Sequence, residues 1–234
     1  MSSKEEYVRQ IFDRIAPRYD LMNTLLSFNR DKAWRRVAVK LSGARPGFKV
    51  LDVCCGTGML TLELARAVSP GGKVTGLDFS PAMLAIARER VRSSPFGRSI
   101  EFIQGNAMSL PFPEGSFDCA TIAFALRNVP DIEGALLEMK RVLRPGGRLV
   151  SLELAKPSWP LFKQIYYLYF DRLVPLLGKW GSGADGPYSY LPRSLKAFPH
   201  QRELLETFNN IGLIDTVCLE LTGGIAAVHV GTKP

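Results

Sequence analysis

The chain has 234 residues, 46% of them apolar and 22% charged, which suits one globular domain and excludes a disordered, collagenous or coiled-coil protein. Its 30 Lys and Arg outweigh 22 Asp and Glu, for a formal net charge of +8, so an anionic partner comes into question, either nucleic acid or a membrane surface. The excess is uneven: residues 1–49 carry 11 basic and 5 acidic side chains, residues 50–154 carry 11 of each, and residues 155–234 carry 8 and 6.

Residues 5–41 read as helices. Val8, Ile11, Phe12 and Ile15 recur at helical spacing, Pro17 interrupts, and Leu21, Met22, Leu25 and Leu26 resume the pattern. A further helix near 30–41 puts Trp34, Val37, Ala38 and Leu41 on one face, and Arg45-Pro46-Gly47 marks its boundary. From residue 48 short apolar runs alternate with helical patterns. Strands are expected at 49–53, 73–77, 100–104, 117–124 and 148–154, and helices at 59–68, 81–92 and 132–143. Turns fall at Ser69-Pro70-Gly71-Gly72 and Arg144-Pro145-Gly146-Gly147. Ser80 before Pro81 supplies an N-cap and a first helical residue with no N–H to satisfy. Strands alternating with helices predict an α/β fold of right-handed βαβ units around a mostly parallel sheet.

Past Leu154 the rhythm breaks. Residues 157–199 hold 10 of the 23 aromatic side chains, with an amphipathic helix expected over 159–177, a joint at Gly181-Ser182-Gly183 and a loop over 178–192 able to open. A helix at 200–211 follows, then strands near 214–221 and 225–231 joined through Thr222-Gly223-Gly224 as an antiparallel hairpin. The chain thus divides into an N-terminal helical cap (1–47), a cofactor-binding core (48–155), an aromatic lid (156–199) and a closing helix and hairpin (200–234). Cys54, Cys55, Cys119 and Cys218 lack metal-ligand spacing, and no metal is expected. The polar start and the lack of an uncharged apolar run of ~18 residues argue against a signal peptide or spanning helix, and for a reducing cytoplasm.

The chemistry concentrates where the first strand meets the next helix. Gly56 and Gly58 let the backbone approach a ligand closely, and Asp78, 20 residues past Gly58, closes the second strand where a carboxylate can grip ribose hydroxyls. Alone, a Gly-x-Gly turn can be a tight loop with no ligand. Asp78, Asn106-Ala107 after the third strand and the Arg144-Pro145-Gly146-Gly147 turn favour a nucleoside. A dinucleotide fingerprint wants a third glycine at position 61, where Thr61 stands. Asp52 repels a pyrophosphate and attracts a cation, which selects S-adenosylmethionine, with its sulfonium and ammonium, over NAD. Asp52 can also simply cap its neighbouring loop.

Four stretches in order then resemble the UbiE/MenG family of quinone C-methyltransferases, within the class I methyltransferases. They are Tyr19 to Ser27 with Trp34, Phe124 to Val129, Arg141 to Leu149 with Glu153, and Tyr190 to Pro199. The resemblance implies S-adenosylmethionine held by Thr57, Asp78, Asn106 and Ala107, with Asp52, Gly56 and Gly58 around its methionine end. The substrate implied is a polyprenyl quinol, demethylmenaquinol ahead of 2-methoxy-6-polyprenyl-1,4-benzoquinol. Cys54, Asp31, Ala155 and Ala123 depart from the family pattern, and the changes at Asp31 and Ala155 bear on the choice of quinone ring.

A quinol ring carbon is a poor nucleophile until a hydroxyl of pKa near ~10 loses its proton, so a base or a cation is needed. Arg127 is the candidate to stabilise phenolate charge, Asn128 to orient a hydroxyl and Tyr19 to reach over from the cap. The plain alternatives are an ion pair of Arg127 with Asp131, a helix N-cap at Asn128 and lid packing by Tyr19. His200 and His229 read as structural and the cysteines as core groups. The aromatic segment suits either helix packing or a cover for an isoprenoid tail. Arg9, Arg14, Arg18, Arg30, Lys32, Arg35, Arg36 and Lys40 are either solvated helix faces or a peripheral contact with an anionic membrane. An RNA or protein methyltransferase is the competing reading; Phe124 to Asn128 stands where an amino-group methylase would carry an Asn-Pro-Pro-Tyr-like stretch, so nucleic acid is not expected. A homodimer is compatible with the sequence.

Overall fold

The computed structural model describes residues 3–157 and 187–234. The helix expected over 159–177 and the joint at 181–183 lie outside them.

Three helices open the chain: α1 (Ser3–Ile15), α2 (Tyr19–Leu26) and α3 (Arg30–Ser42). Pro17 breaks the first two apart with a single 3-10 turn, Ala16–Arg18. The core follows as β1 (Lys49–Val53), α4 (Met59–Val68), β2 (Lys73–Asp78), α5 (Pro81–Arg92), β3 (Ile100–Gln104), β4 (Phe117–Ala123), α6 (Ile132–Val142) and β5 (Leu143–Leu154). Helices α7 (Pro187–Ala197) and α8 (Gln201–Asn210) precede β6 (Ile214–Leu221) and β7 (Ala226–Thr232).

The strands form one sheet in the order β3-β2-β1-β4-β5-β7-β6. The first five are parallel; β7 runs antiparallel to both β5 and β6. Chain order reverses on either side of β1, so a crevice opens beyond the carboxyl ends of β1 and β4, the usual place for a ligand in an open α/β sheet. Alternation of side chains divides the core in two. Leu51, Val53, Ala120 and Ile122 face α6 and α8, while Val50, Val74, Val150 and Leu152 face α3 and α4.

Two expectations change. Arg144-Pro145-Gly146-Gly147 is no free turn before a strand. It is a bulge inside β5, which pairs Leu143 with Phe117, slips, and resumes at Arg148 with Cys119. Gly146 takes a φ of 74° there and its N–H reaches the Lys233 carbonyl at 2.8 Å, tying the bulge to the C-terminal segment. The loop expected over 178–192 ends by 187, because α7 begins at Pro187.

Both histidines are structural. His200 caps α8, its ring accepting from the Arg202 N–H while Glu203 accepts the His200 N–H at 2.7 Å. His229 is buried in β7 with Nε2 2.8 Å from the Gln201 carbonyl.

Candidate functional site

The crevice holds a cavity. One wall comes from the glycine turn and the ends of β2 and β3: Cys54, Gly56, Asp78, Phe79, Met83, Gly105, Asn106 and Ala107. Cys54, Gly56 and Gly58 take φ values of 54°, 54° and 78°, which swing the chain from β1 into α4. Gly58 answers to packing: a Cβ on it would stand 3.2 Å from the Ala87 Cβ, so its absence lets α4 start against α5.

Asp78 is fixed by the turn it serves. Its carboxylate accepts the Gly56 N–H at 2.8 Å and the Ser80 N–H at 2.9 Å. Burial pushes its pKa up to about 6 against the pull of those N–H donors. Asp52 lies behind the wall. Its oxygens accept the hydroxyls of Thr61 at 2.6 Å and Thr121 at 2.9 Å, and burial pushes it to about 6 as well. The residue that breaks a dinucleotide fingerprint, Thr61, is thus the partner that keeps a buried carboxyl satisfied.

The opposite wall comes from the end of β4 and the 3-10 turn Leu126–Asn128: Ala123, Phe124, Ala125, Asn128, Val129 and Pro130. Phe124 holds a φ of 56°, an unusual conformation for a bulky side chain. Its N–H reaches the Leu152 carbonyl at 2.8 Å. Asn128 is 8% exposed, and neither its amide nitrogen nor its amide oxygen has a partner among the described residues. It caps no helix, since Asp131 is the N-cap of α6.

Arg127 does not line the cavity. Its guanidinium pairs with the Glu153 carboxylate and donates to the Phe124 carbonyl at 2.6 Å, its backbone N–H reaches Glu153 at 3.3 Å, and its Nε finds no partner among the described residues. The side chains are 8% and 2% exposed, so this is a buried pair and not the surface pair with Asp131. The cap closes the cavity with Val8, Phe12 and Tyr19. Burial pushes the Tyr19 phenol up, with the nearby Arg127 charge opposing.

The cap is bonded to the cofactor wall. The Ser80 hydroxyl donates to Asp13, and the Thr57 hydroxyl donates to Asp20 at 2.7 Å. Asp20 also pairs with Arg90, which reaches the Thr57 carbonyl at 2.8 Å. Of the expected site residues, Tyr19, Asn128, Gly56, Asp78, Asn106 and Ala107 meet at one cavity. Asp52, Thr57, Gly58 and Arg127 stand behind its walls. Sequence reasoning missed Asp13, Asp20 and Glu153. Glu153 left a signal: it is a lone charge in the apolar run Leu149–Leu154.

The lining fits S-adenosylmethionine. Among the described residues no lysine, arginine or histidine lines the cavity, so none of them answers a phosphate, while Asp78 and the buried Asp52 set a negative field for a sulfonium and an ammonium. Sheet order, glycine turn and strand-end acid define a class I S-adenosylmethionine-dependent methyltransferase.

Comparison with known proteins narrows the class. Residues 1–233 match the ubiE/COQ5 methyltransferase family, and the chain belongs to it. It is 50% identical to a demethylmenaquinone methyltransferase of Desulfitobacterium hafniense over 231 residues, covering 99% of this chain and 91% of the relative. It is 46% identical to one of Bacillus cytotoxicus over 232 residues, covering 99% and 98%. A solved S-adenosylmethionine-dependent methyltransferase of Aquifex aeolicus superposes with a TM-score of 0.67 at 19% identity, covering 92% of this chain and 98% of that one. Geranyl diphosphate C-methyltransferase of Streptomyces coelicolor does so with 0.63 at 18%, covering 86% and 79%. These two speak for the fold alone.

Proposed function

We propose that the chain methylates a ring carbon of a polyprenyl quinol, demethylmenaquinol, to give menaquinol. Family membership and the relatives' activity support the reaction, and the buried amide of Asn128, without a partner among the described residues, is the observation that carries the site. A burial this costly is retained where a ligand completes it.

Asp78, Gly56, Asn106 and Ala107 would hold S-adenosylmethionine, with Asp52 adding negative field and Thr57 and Gly58 shaping the turn. When bound, it supplies a methyl group already activated on a sulfonium. The protein's task is then position and dryness. Asn128 offers a donor and an acceptor to a quinol hydroxyl, and Tyr19 faces the same space from the cap. Arg127, fixed by Glu153 behind the wall, places positive charge where a phenolate develops. Val8, Phe12 and Phe124 shut out water.

The lipid substrate places the enzyme at the inner face of an anionic membrane, in the cytoplasm. The contact proposed is peripheral; no helix among the described residues is long and apolar enough to cross a membrane. The Asp31 departure from the family pattern is absorbed locally: Asp31 pairs with Arg35 at 2.5 Å, buried, and Arg35 lies 5.2 Å over the Phe124 ring. Arg35 is therefore no part of the membrane-facing charge.

Methyl transfer measured side by side on demethylmenaquinol and 2-methoxy-6-polyprenyl-1,4-benzoquinol tests the substrate. We expect demethylmenaquinol to be preferred by at least about tenfold in kcat/KM. Preference for the benzoquinol, or transfer to neither, overturns the proposal.

A further inference from the structure

The cap sorts its charges by sign. Between residues 6 and 40 the acids Glu6, Asp13, Asp20 and Asp31 are all bonded, to Arg9, Ser80, Arg90 with Thr57, and Arg35. The exposed charged side chains of the same stretch are Arg14, Arg18, Arg30, Lys32, Arg36 and Lys40, every one basic. With Asp13, Asp20 and Asp31 engaged in contacts of the cap and the part-exposed Glu6 held by Arg9, cations dominate the outer surface, which a count of residues alone does not reveal.

On that surface sits a row of apolar side chains. Leu21 is 61% exposed, Leu25 54% and Phe28 74%. Their spacing of four and three puts them on one face of α2 and the turn after it, and Arg18 begins the same row one turn earlier. The other face of α2 is used inside: Met22 is buried and Tyr19 lines the cavity. Phe28 and Asn29 take φ values of 50° and 63°, a tight reversal that holds a large apolar ring in the open.

We propose that α2 and its following turn, through Leu21, Leu25 and Phe28 flanked by Arg18, Arg30 and Lys32, dock the chain on an anionic lipid surface. The chemistry selects this occupant. An apolar ridge bordered by cations matches acyl chains under anionic headgroups. A second copy of the chain would bring the same cations against these across a two-fold axis, and like charges repel. Docking by the outer face of α2 brings the cavity to within about a helix diameter, ~10 Å, of the bilayer that dissolves a polyprenyl quinol. The proposal deepens the quinol reading and rests on it for its purpose, but the surface is tested without catalysis.

The experiment is co-sedimentation with vesicles of phosphatidylcholine, with and without about one-third phosphatidylglycerol. The wild-type chain is expected to bind only the anionic vesicles and to be released by high salt. Leu25→Ser with Phe28→Ser is expected to weaken binding about tenfold or more. Lys32→Glu weakens it less, and more so at low salt. These positions are exposed, so melting temperature and methyl transfer to a detergent-solubilised short-tail demethylmenaquinol stay near wild type. Equal binding to neutral vesicles, or unchanged binding by the double variant, overturns the docking surface. So does a concentration-dependent dimer that Leu25→Ser abolishes, which would make the occupant a second copy. Failure of methyl transfer with vesicle binding intact overturns the quinol reading instead.

Discussion

The two walls of the cavity are built on opposite terms. In the cofactor wall the strong polar group already has its partners: Asp78 accepts from Gly56 and Ser80. In the wall proposed for the acceptor, Asn128 has both ends of its amide buried and unmatched among the described residues, and behind it the Arg127 Nε has no partner among them. A satisfied wall is preorganised and changes little when a ligand arrives; an unsatisfied one carries a cost that a ligand's hydroxyls can relieve. The cofactor half therefore resembles a mould and the acceptor half a set of waiting donors and acceptors.

Truncating the acceptor wall gives the largest effect. Asn128→Ala should lower kcat by about 10²–10³ while cofactor affinity stays within a few-fold. Melting temperature should not fall, because the removed groups cost about 1–3 kcal/mol of unrelieved desolvation, which offsets the lost packing. Steady-state kinetics, calorimetric titration with S-adenosylhomocysteine and a thermal melt together check this. Equal losses in turnover and cofactor affinity would merge the two walls into one site. Arg127→Ala is a blunter cut, since it strands the Glu153 carboxylate in the interior and confounds folding with chemistry.

The cofactor wall is read by pH. Burial holds the protons of Asp52 and Asp78 up to about 6, and the Asp78 charge adds to the push on Asp52. A cationic ligand favours their ionised forms, so affinity for S-adenosylmethionine should rise about tenfold between pH ~5 and ~7 and level off above. The slope should be shallower for S-adenosylhomocysteine, which lacks the sulfonium, and shallower again in Asp78→Asn. Stability of the ligand-free protein carries the opposite sign. The folded state binds these protons more tightly than the unfolded chain with its ordinary value of 3.8, so their contribution is present at the lowest pH and is lost as pH rises from 3.8 through about 6. A titration with the same slope for both ligands would remove the sulfonium from the argument.

The cofactor wall was legible because its residues are close in sequence or spaced by one βαβ unit, and glycines and strand-end acids carry their geometry with them. Strands β1 and β3 begin and end where apolar periodicity puts them. The acceptor wall was legible only as residue types. Arg127 was visible, but its partner Glu153 is 26 residues on, and Asp131 at helical spacing was the nearer guess. The bulge in β5 hid behind Arg144-Pro145-Gly146-Gly147, whose composition says turn and cannot say that β7 and Lys233 hold it in the sheet. The bonds from the cap to the cofactor wall, Asp13 to Ser80 and Asp20 to Thr57, span 67 and 37 residues, and no local pattern announces them.

That last bond sharpens the comparison with the smallest effect. The family resemblance gives Thr57 to the cofactor, whereas here its hydroxyl is spent on Asp20 and the residue lies behind the wall. Thr57→Val keeps the shape and removes the hydroxyl. If the hydroxyl serves the cap, the variant loses its donation to Asp20 and its acceptance from Arg90 at 3.2 Å, each worth about 1.5–3 kcal/mol before the retained Asp20–Arg90 pair and the Arg90 bond to the Thr57 carbonyl compensate. Cofactor affinity should then drop only a few-fold, with faster ligand release, because a looser cap uncovers the cavity more often. If the hydroxyl instead moves to the ligand on binding, affinity should drop more than about tenfold with the release rate raised to match. Asp20→Asn separates these outcomes: it loosens the same contact from the cap side, so an effect equal to that of Thr57→Val places the hydroxyl with the cap, and a much weaker one places it with the cofactor.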